Sequence, residues 1–119
     1  MTVLYLVIGG SAGTLLRWVL AGLFQRLAPA DFPWGILIVN VLGCFIAGML
    51  AGLGRERLTP QQWLMLTAGF CGAFTTFSTL IVDTAQLADQ GKLLAAAGNL
   101  IASVVIGLAA FRIGMLILK

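Results

Sequence analysis

The chain has 119 residues, of which 61% are hydrophobic and only 9% are charged, with a formal net charge of +3. This composition excludes an ordinary soluble domain, and a mean hydropathy of +1.07 makes lipid the expected solvent. The chain has no histidine and only isolated cysteines, which argues against metal and disulfide frameworks. Nucleic-acid binding is not expected, because most cations lie at helix ends where they reach lipid headgroups.

Four apolar stretches are long enough to cross a hydrocarbon core about 30 Å thick as helices: Val3–Leu27, Trp34–Leu53, Trp63–Leu87 and Leu93–Leu118. They are apolar all round and rich in Leu, Ala and Gly, so alternating transmembrane strands are not expected. The connecting segments are short and carry turn residues. We therefore predict an all-α membrane protein with a single transmembrane domain over residues 1–119.

The first span carries Arg17 and the glycine pair Gly9 and Gly13. Glycines at four-residue spacing form a small-residue face that lets helix backbones approach closely, including those of a second copy. Arg17 lies late in the span, so its long side chain either reaches the interface or acts electrostatically on an anion at a pore mouth. Both interpretations of Arg17 stay open from the sequence.

The second span has a similar glycine face, Gly48 and Gly52, and one residue that is costly in lipid, Asn40. Asn40 lies near the centre of the span, where its short side chain cannot reach water. An unpaired amide at that depth is strongly unfavourable, so Asn40 must bond to another helix or to a permeating species. Its NH2 group can donate to an anion.

The third span holds the strongest functional signal, the stretch GFCGAFTTFST at Gly69–Thr79. Gly69 and Gly72 weaken the helix in the middle third of the span and predict a break there. Broken backbone at membrane depth is tolerated only where it faces protein, water or a bound ion. The stretch therefore indicates ion handling.

Hydroxyls and aromatic rings follow these glycines, which is unusual for a lipid-facing helix. Helical spacing predicts one aromatic and one polar face: Phe70, Phe74 and Phe77, and Thr75, Thr79 and Asp83. The hydroxyls either line a hydrated pathway or bond back to their own helix.

The fourth span carries Asn99, Ser103 and Gly107 at four-residue spacing, which gives one narrow polar face on an apolar helix. Helix packing is the simpler interpretation of this face, and a solvated pathway is the alternative.

Loop cations are nearly balanced between the two sides of the membrane. One side receives Arg55, Arg57 and Lys119, and the other receives Arg26 and Lys92. Because orientation normally follows the asymmetry of Lys and Arg, this near balance predicts insertion in both orientations. Four short helices enclose little volume, so a pathway lined on several sides is expected to need a second copy.

Three separated motifs agree with one family in order and spacing: GGSAGTLLRW at Gly9–Trp18, GILIVNVLGCFIAG at Gly35–Gly48 and GFCGAFTTFST at Gly69–Thr79. On these residues the sequence resembles the Fluc family of fluoride channels (CrcB-type proteins) over essentially its whole length. The resemblance implies an antiparallel, dual-topology homodimer in the lipid of a prokaryotic inner membrane, with two anion pathways along the interface. It also implies passive fluoride export and hence fluoride resistance.

The resemblance gives roles to particular side chains. Phe74 and Phe77 resemble the aromatic pair that lines each pathway, with one ring taken from each subunit. Asn40 resembles the pore asparagine, and Arg17 resembles the family's first-span arginine.

The resemblance also implies a structural Na+ at the dimer centre, held by main-chain carbonyls near Gly69 and Gly72 of both copies. Hydroxyls along the pathway are implied at four positions: Thr75, Thr76, Ser78 and Ser103. The sequence departs from the family where Ala73 replaces a frequent glycine, and where Leu80 and Ile81 replace more aromatic or hydroxyl-bearing residues.

Other functions share part of this pattern. A small multidrug-type antiporter also has four spans and antiparallel dimers, but it needs a membrane-embedded glutamate in the first span, where this chain has no acid. If the chain were a non-transporting assembly subunit, Asn40 and the hydroxyls would have no function. An enzyme is least expected, because the chain has no histidine, no paired carboxylates and no nucleophile beside a base.

Overall fold

The computed structural model describes residues 1–119, and every regular element of the chain is helical. Four helices are long and apolar enough to cross a membrane: the first span at Thr2–Leu27, the second at Trp34–Leu53, the third at Pro60–Asp89 and the fourth at Leu93–Leu118. The prediction of an all-α chain with four membrane-spanning helices is therefore confirmed.

Local sequence explains where the third span begins. Gly54 ends the second span with a φ of 91°, a left-handed conformation that favours glycine. The Thr59 hydroxyl then accepts the Gln62 N–H, and the Gln62 side chain accepts the Thr59 N–H, which forms a capping box with Pro60 at the first helical position. This cap starts the span earlier than the predicted Trp63.

The third span is built from several helical segments. In chain order they are an α-helix at Pro60–Leu64, a π-helix at Met65–Cys71, a short α-helical turn at Gly72–Phe74 and an α-helix at Phe77–Asp89. Between the last two lie Thr75, with φ/ψ of −89° and 156°, and Thr76, with −147° and 115°; we call this pair the extended segment. The sequence predicts that the helix breaks at Gly69 and Gly72, but Gly72 has helical dihedrals, φ −62° and ψ −35°.

Gly69 instead serves close packing between the first and third spans. A Cβ at Gly69 would lie 3.3 Å from the Gly9 Cα. A Cβ at Gly9 would collide with the Met65 carbonyl oxygen, and one at Gly13 would collide with the Phe70 carbonyl oxygen. The two spans therefore cross with their backbones in contact, which is the usual role of small residues between membrane helices.

The second and fourth spans are joined in the same way. A Cβ at Gly48 would collide with the Phe111 carbonyl oxygen, and one at Gly52 would collide with the Met115 carbonyl oxygen. Neighbouring spans of the same chain thus fill the glycine faces of both the first and the second span. The expectation that these faces are available to a second copy is wrong, because backbone atoms already occupy them.

The polar face of the fourth span is largely committed to packing. Asn99 is 1% exposed, and its Nδ2 donates to the Thr84 hydroxyl at 3.0 Å. A Cβ at Gly107 would lie 3.2 Å from the Cys44 sulfur. The Ser103 Oγ is buried without a hydrogen-bond partner. These contacts support the helix-packing interpretation for Asn99 and Gly107.

We expect Gly48→Ala to destabilise the chain by about 1–3 kcal/mol, the usual cost of overpacking, because the added methyl meets main-chain atoms that cannot rotate away. The thermal midpoint of the purified protein in detergent measures this effect. Gly98→Ala is the matched control, since nothing lies within 4 Å of a Cβ there. Alanine at Gly98 is expected to raise the midpoint slightly through its higher helix propensity. Equal midpoints for the two variants would contradict the close packing at Gly48.

Candidate functional site

The extended segment, Thr75–Thr76, lies near the middle of the third span, at the depth of the hydrocarbon core. Extended residues between two helices leave peptide groups without helical partners. Such groups are costly in lipid unless other groups satisfy them. Side chains from the first and second spans supply partners, and the candidate site is built around these bonds.

Asn40 of the second span bonds the main chain of Thr76 twice. Its Oδ1 accepts the Thr76 N–H at 2.8 Å, and its Nδ2 donates to the Thr76 carbonyl at 3.2 Å. An unpaired amide at membrane depth is costly, so Asn40 is expected to bond to another helix or to a permeating species, and these two bonds join it to the third span. Both polar ends of the Asn40 side chain are therefore engaged by the protein.

Arg17 of the first span acts on the other side of the interruption. Its Nη1 donates to the Ala73 carbonyl at 3.0 Å, and the side chain is half-buried. Ala73 lies just before the extended segment, where carbonyls lose their helical donors. A charged donor makes a stronger bond than a neutral one. Arg17 is therefore held beside the interruption and does not extend freely to the headgroups.

The two rings of the predicted aromatic pair have different environments. Phe74 is 1% exposed, and its ring stacks on Phe70 with 5.4 Å between centroids and 11° between planes. Phe77 is 74% exposed. The prediction that Phe70, Phe74 and Phe77 share one helix face is wrong for Phe77, because the extended segment interrupts the helix between Phe74 and Phe77.

The hydroxyls of the extended segment bond to nearby backbone. Thr75 Oγ1 donates to the Cys71 carbonyl at 2.9 Å, which is back-bonding to its own helix. Thr76 Oγ1 accepts the Thr79 N–H at 3.3 Å and so caps the helix that follows. Thr75 belongs to the extended segment and Thr79 lies in the helix after it, so the predicted polar face that they share with Asp83 is not one continuous helix face.

Thr76, Phe77 and Ser78 form what we call the mid-span patch, in which two hydroxyls flank an exposed aromatic ring. Phe77 and Ser78 are exposed, Thr76 is half-buried, and the two hydroxyl oxygens lie 3.5 Å apart. Ser103, on the fourth span, forms no hydrogen bond with this patch. Hydroxyls at membrane depth are expected to face protein, water or an ion instead of lipid.

Asp83 lies in a different place, an open cavity of about 430 Å³ at one end of the helix bundle. Loop residues Asp31 and Lys92 also line this cavity, together with the amide side chains of Gln86 and Gln90. No residue of the mid-span patch lines it. The cavity therefore carries charges of both signs near the membrane surface.

Comparison with known proteins identifies the family. The family model described as CrcB-like protein, Camphor Resistance (CrcB), matches residues 4–115. The chain belongs to the CrcB family. Relatives named fluoride-specific ion channel FluC, from Solidesulfovibrio magneticus and Nitrosococcus oceani, are 41% and 42% identical over 93% and 95% of this chain and 90% and 92% of their own lengths. A relative named fluoride-specific ion channel FluC 2, from Symbiobacterium thermophilum, is 44% identical over 89% of this chain and 88% of its own length.

The resemblance to CrcB-type proteins is thereby confirmed. With four membrane-spanning helices, this member of the CrcB family is a multi-pass membrane protein, and the relatives named above are bacterial.

Main-chain oxygens around the interruption of this CrcB-family chain differ in their freedom to hold a cation. Gly69 is buried against the first span, and its carbonyl accepts the Gly72 N–H, so Gly69 fits the implied Na+ site poorly. Gly72 is exposed, and the Thr75 carbonyl accepts no hydrogen bond from within the chain. Oxygen ligands of this kind suit a hard cation.

Two contributors to the site were absent from the sequence predictions, the Thr75 carbonyl and Gly43. A Cβ at Gly43 would collide with the Thr75 Cγ2. The spacing of Asn40 and Gly43 places both on one face of the second span, next to each other. That spacing is the signal that could have indicated Gly43, although its partner in the third span is visible only in the structure.

Proposed function

We propose that this chain is a fluoride-selective ion channel that lets fluoride leave the cytoplasm passively. The observation that carries the proposal is the mid-span patch in a member of the CrcB family: hydroxyls and an exposed aromatic ring at membrane depth. The names of the relatives, fluoride-specific ion channels, supply the ion.

The chemistry of the patch suits a small anion. Aromatic rings carry a positive edge, so the Phe77 ring can contact fluoride without offering a repelling acceptor. The Ser78 hydroxyl can donate in place of lost water, whereas the Thr76 O–H already donates to Thr79 Oγ1 at 3.1 Å. Conduction requires that this replacement be favourable enough for entry and weak enough for exit. A patch with few donors beside an aromatic edge meets both requirements.

The patch also supports an antiparallel homodimer with two pathways. One protomer leaves Phe77 74% exposed, so a second copy can cover the ring and complete the walls of a pathway. The near balance of loop cations permits opposite orientations of the two copies. In this assembly the interrupted third spans supply the polar surface at which the subunits meet.

In the proposed dimer a structural Na+ would lie where the two interruptions meet. The Gly72 and Thr75 carbonyls are its best candidate ligands, since Gly72 is exposed and the Thr75 oxygen lacks a donor. When bound, Na+ would neutralise the converging oxygen dipoles. Arg17 and Asn40 act beside it by holding the Ala73 and Thr76 main chain.

Passive export through such a pathway would confer fluoride resistance. Hydrogen fluoride crosses lipid as a neutral molecule and dissociates in a near-neutral cytoplasm, which traps the anion. A membrane potential that is negative inside then favours exit, by about 2.3 kcal/mol per 100 mV for one charge.

Reconstitution in liposomes tests this function. Vesicles loaded with fluoride, and given a K+ gradient and a K+ ionophore, are expected to release fluoride to an ion-selective electrode, whereas vesicles loaded with chloride are expected to retain it. Equal release of both ions, or release of neither, would contradict the proposal. Release that requires a proton gradient would indicate antiport instead.

A further inference from the structure

One face of the second span fits the extended segment. Gly43 follows Asn40 at helical spacing, so both point to the same side of the span. A Cβ at Gly43 would collide with Thr75 Cγ2 and would lie 3.2 Å from the Phe74 ring. Asn40 bonds the next residue, Thr76, through its N–H and its carbonyl. We call Asn40 and Gly43 the cradle.

The cradle contributes two different things to the extended segment. Gly43 gives space, because the Thr75 methyl occupies the position where any other residue would place its Cβ. Asn40 gives hydrogen bonds, and these replace the helical partners that Thr76 loses by being extended. The oxygen and one N–H of the Asn40 amide are engaged by these bonds, and only the second N–H is left without a partner.

We propose that Asn40 and Gly43 are positioning residues, which fix the extended conformation of Thr75 and Thr76 and thereby the direction of the Phe77 ring. In this role Asn40 acts through the Thr76 main chain. This inference rests on the proposed fluoride-channel function, because flux is its readout.

A size exchange tests the space that Gly43 provides. Gly43→Ala is expected to lower fluoride flux per reconstituted dimer about tenfold, because the clash must displace the extended segment. Adding Thr75→Ser removes the Cγ2 with which the new methyl collides, so the double variant is expected to regain most of the lost flux. Gly98→Ala is the matched control and is expected to retain wild-type flux.

Wild-type flux for Gly43→Ala, or no recovery in the double variant, would overturn the role of Gly43. Dimer content is measured for every variant by size-exclusion chromatography, so that loss of protein is separated from loss of conduction. If Gly43→Ala yields no folded dimer, the main-chain experiment below decides the proposal.

A main-chain substitution tests Asn40 directly. Replacing Thr76 by its α-hydroxy analogue turns the Thr75–Thr76 amide into an ester, which removes the N–H that Asn40 accepts and leaves every side chain in place. Because the ester also weakens the Thr75 carbonyl as an acceptor, flux is measured at saturating Na+. The ester and Asn40→Ala are each expected to lower flux about tenfold, as loss of a buried hydrogen bond predicts. Their combination is expected to lower flux no further than Asn40→Ala alone, because that variant already lacks the bond that the ester removes.

Two results would overturn the positioning role: wild-type flux from the ester variant, or losses that multiply in the combination. Either would show that Asn40 affects conduction by a route other than its bond to the Thr76 N–H. Wild-type protein is assayed in parallel. Absence of fluoride release from wild-type vesicles would refute the proposed function itself, whereas release from wild type with multiplying losses would refute only the inference about the cradle.

Discussion

Phe77→Ala is expected to lower fluoride flux about tenfold while the dimer persists. The ring is 74% exposed on the protomer, so its removal costs little internal packing. Electrostatic contacts with the positive edge of an aromatic ring are worth about 0.5–1.5 kcal/mol, and the upper end of this range corresponds to about tenfold in rate. The flux is measured by fluoride release from liposomes with matched dimer content.

Val82→Ala is the control for Phe77→Ala, because Val82 lies on the same helix and is 52% exposed. It is expected to conduct like wild type. Unchanged flux in Phe77→Ala would remove the ring from the mechanism and would leave polar donors, such as the Ser78 hydroxyl, as candidate contacts.

Phe74→Ala is expected to lower the stability of the folded protein. Phe74 is 1% exposed and stacks on Phe70, and deletion of a buried phenylalanine typically costs about 3–5 kcal/mol. The expected result is a large fall in the thermal midpoint in detergent, with a smaller fall for Phe74→Leu, which keeps much of the apolar volume.

The same pair of variants decides whether Phe74 belongs to a pathway. If Phe74→Ala kept its thermal midpoint but lost flux, the two phenylalanines would act together as the family resemblance implies. The burial of Phe74 within one protomer argues for packing instead.

The helices themselves were predictable because lipid imposes a simple rule. A segment that crosses the hydrocarbon core must be long, apolar and helical, and these properties are local in sequence. The positions of the glycines in the structure were less predictable. Gly69 reads as a helix breaker by propensity, but its missing side chain lets the first span approach.

The candidate site was predictable only in part. Asn40 and Arg17 stood out because polar groups are costly at membrane depth. Their partners did not, since Asn40 reaches 36 residues along the chain to Thr76, and Arg17 reaches 56 residues to Ala73. Both partners are main-chain atoms, which no side-chain pattern marks. The same long-range bonds explain why the extended segment follows the glycines instead of coinciding with them.

The bonds of Arg17 and Asn40 also have a consequence for variation. Both residues recognise peptide groups, and every residue type carries the carbonyl that Arg17 binds at Ala73. Ala73 can therefore be exchanged for another small residue without loss of its anchor. These bonds hold the backbone of the interruption whatever side chains it carries. Evolution or an engineer can therefore change the neighbouring side chains, and so alter the ion pathway, without redesigning the fold.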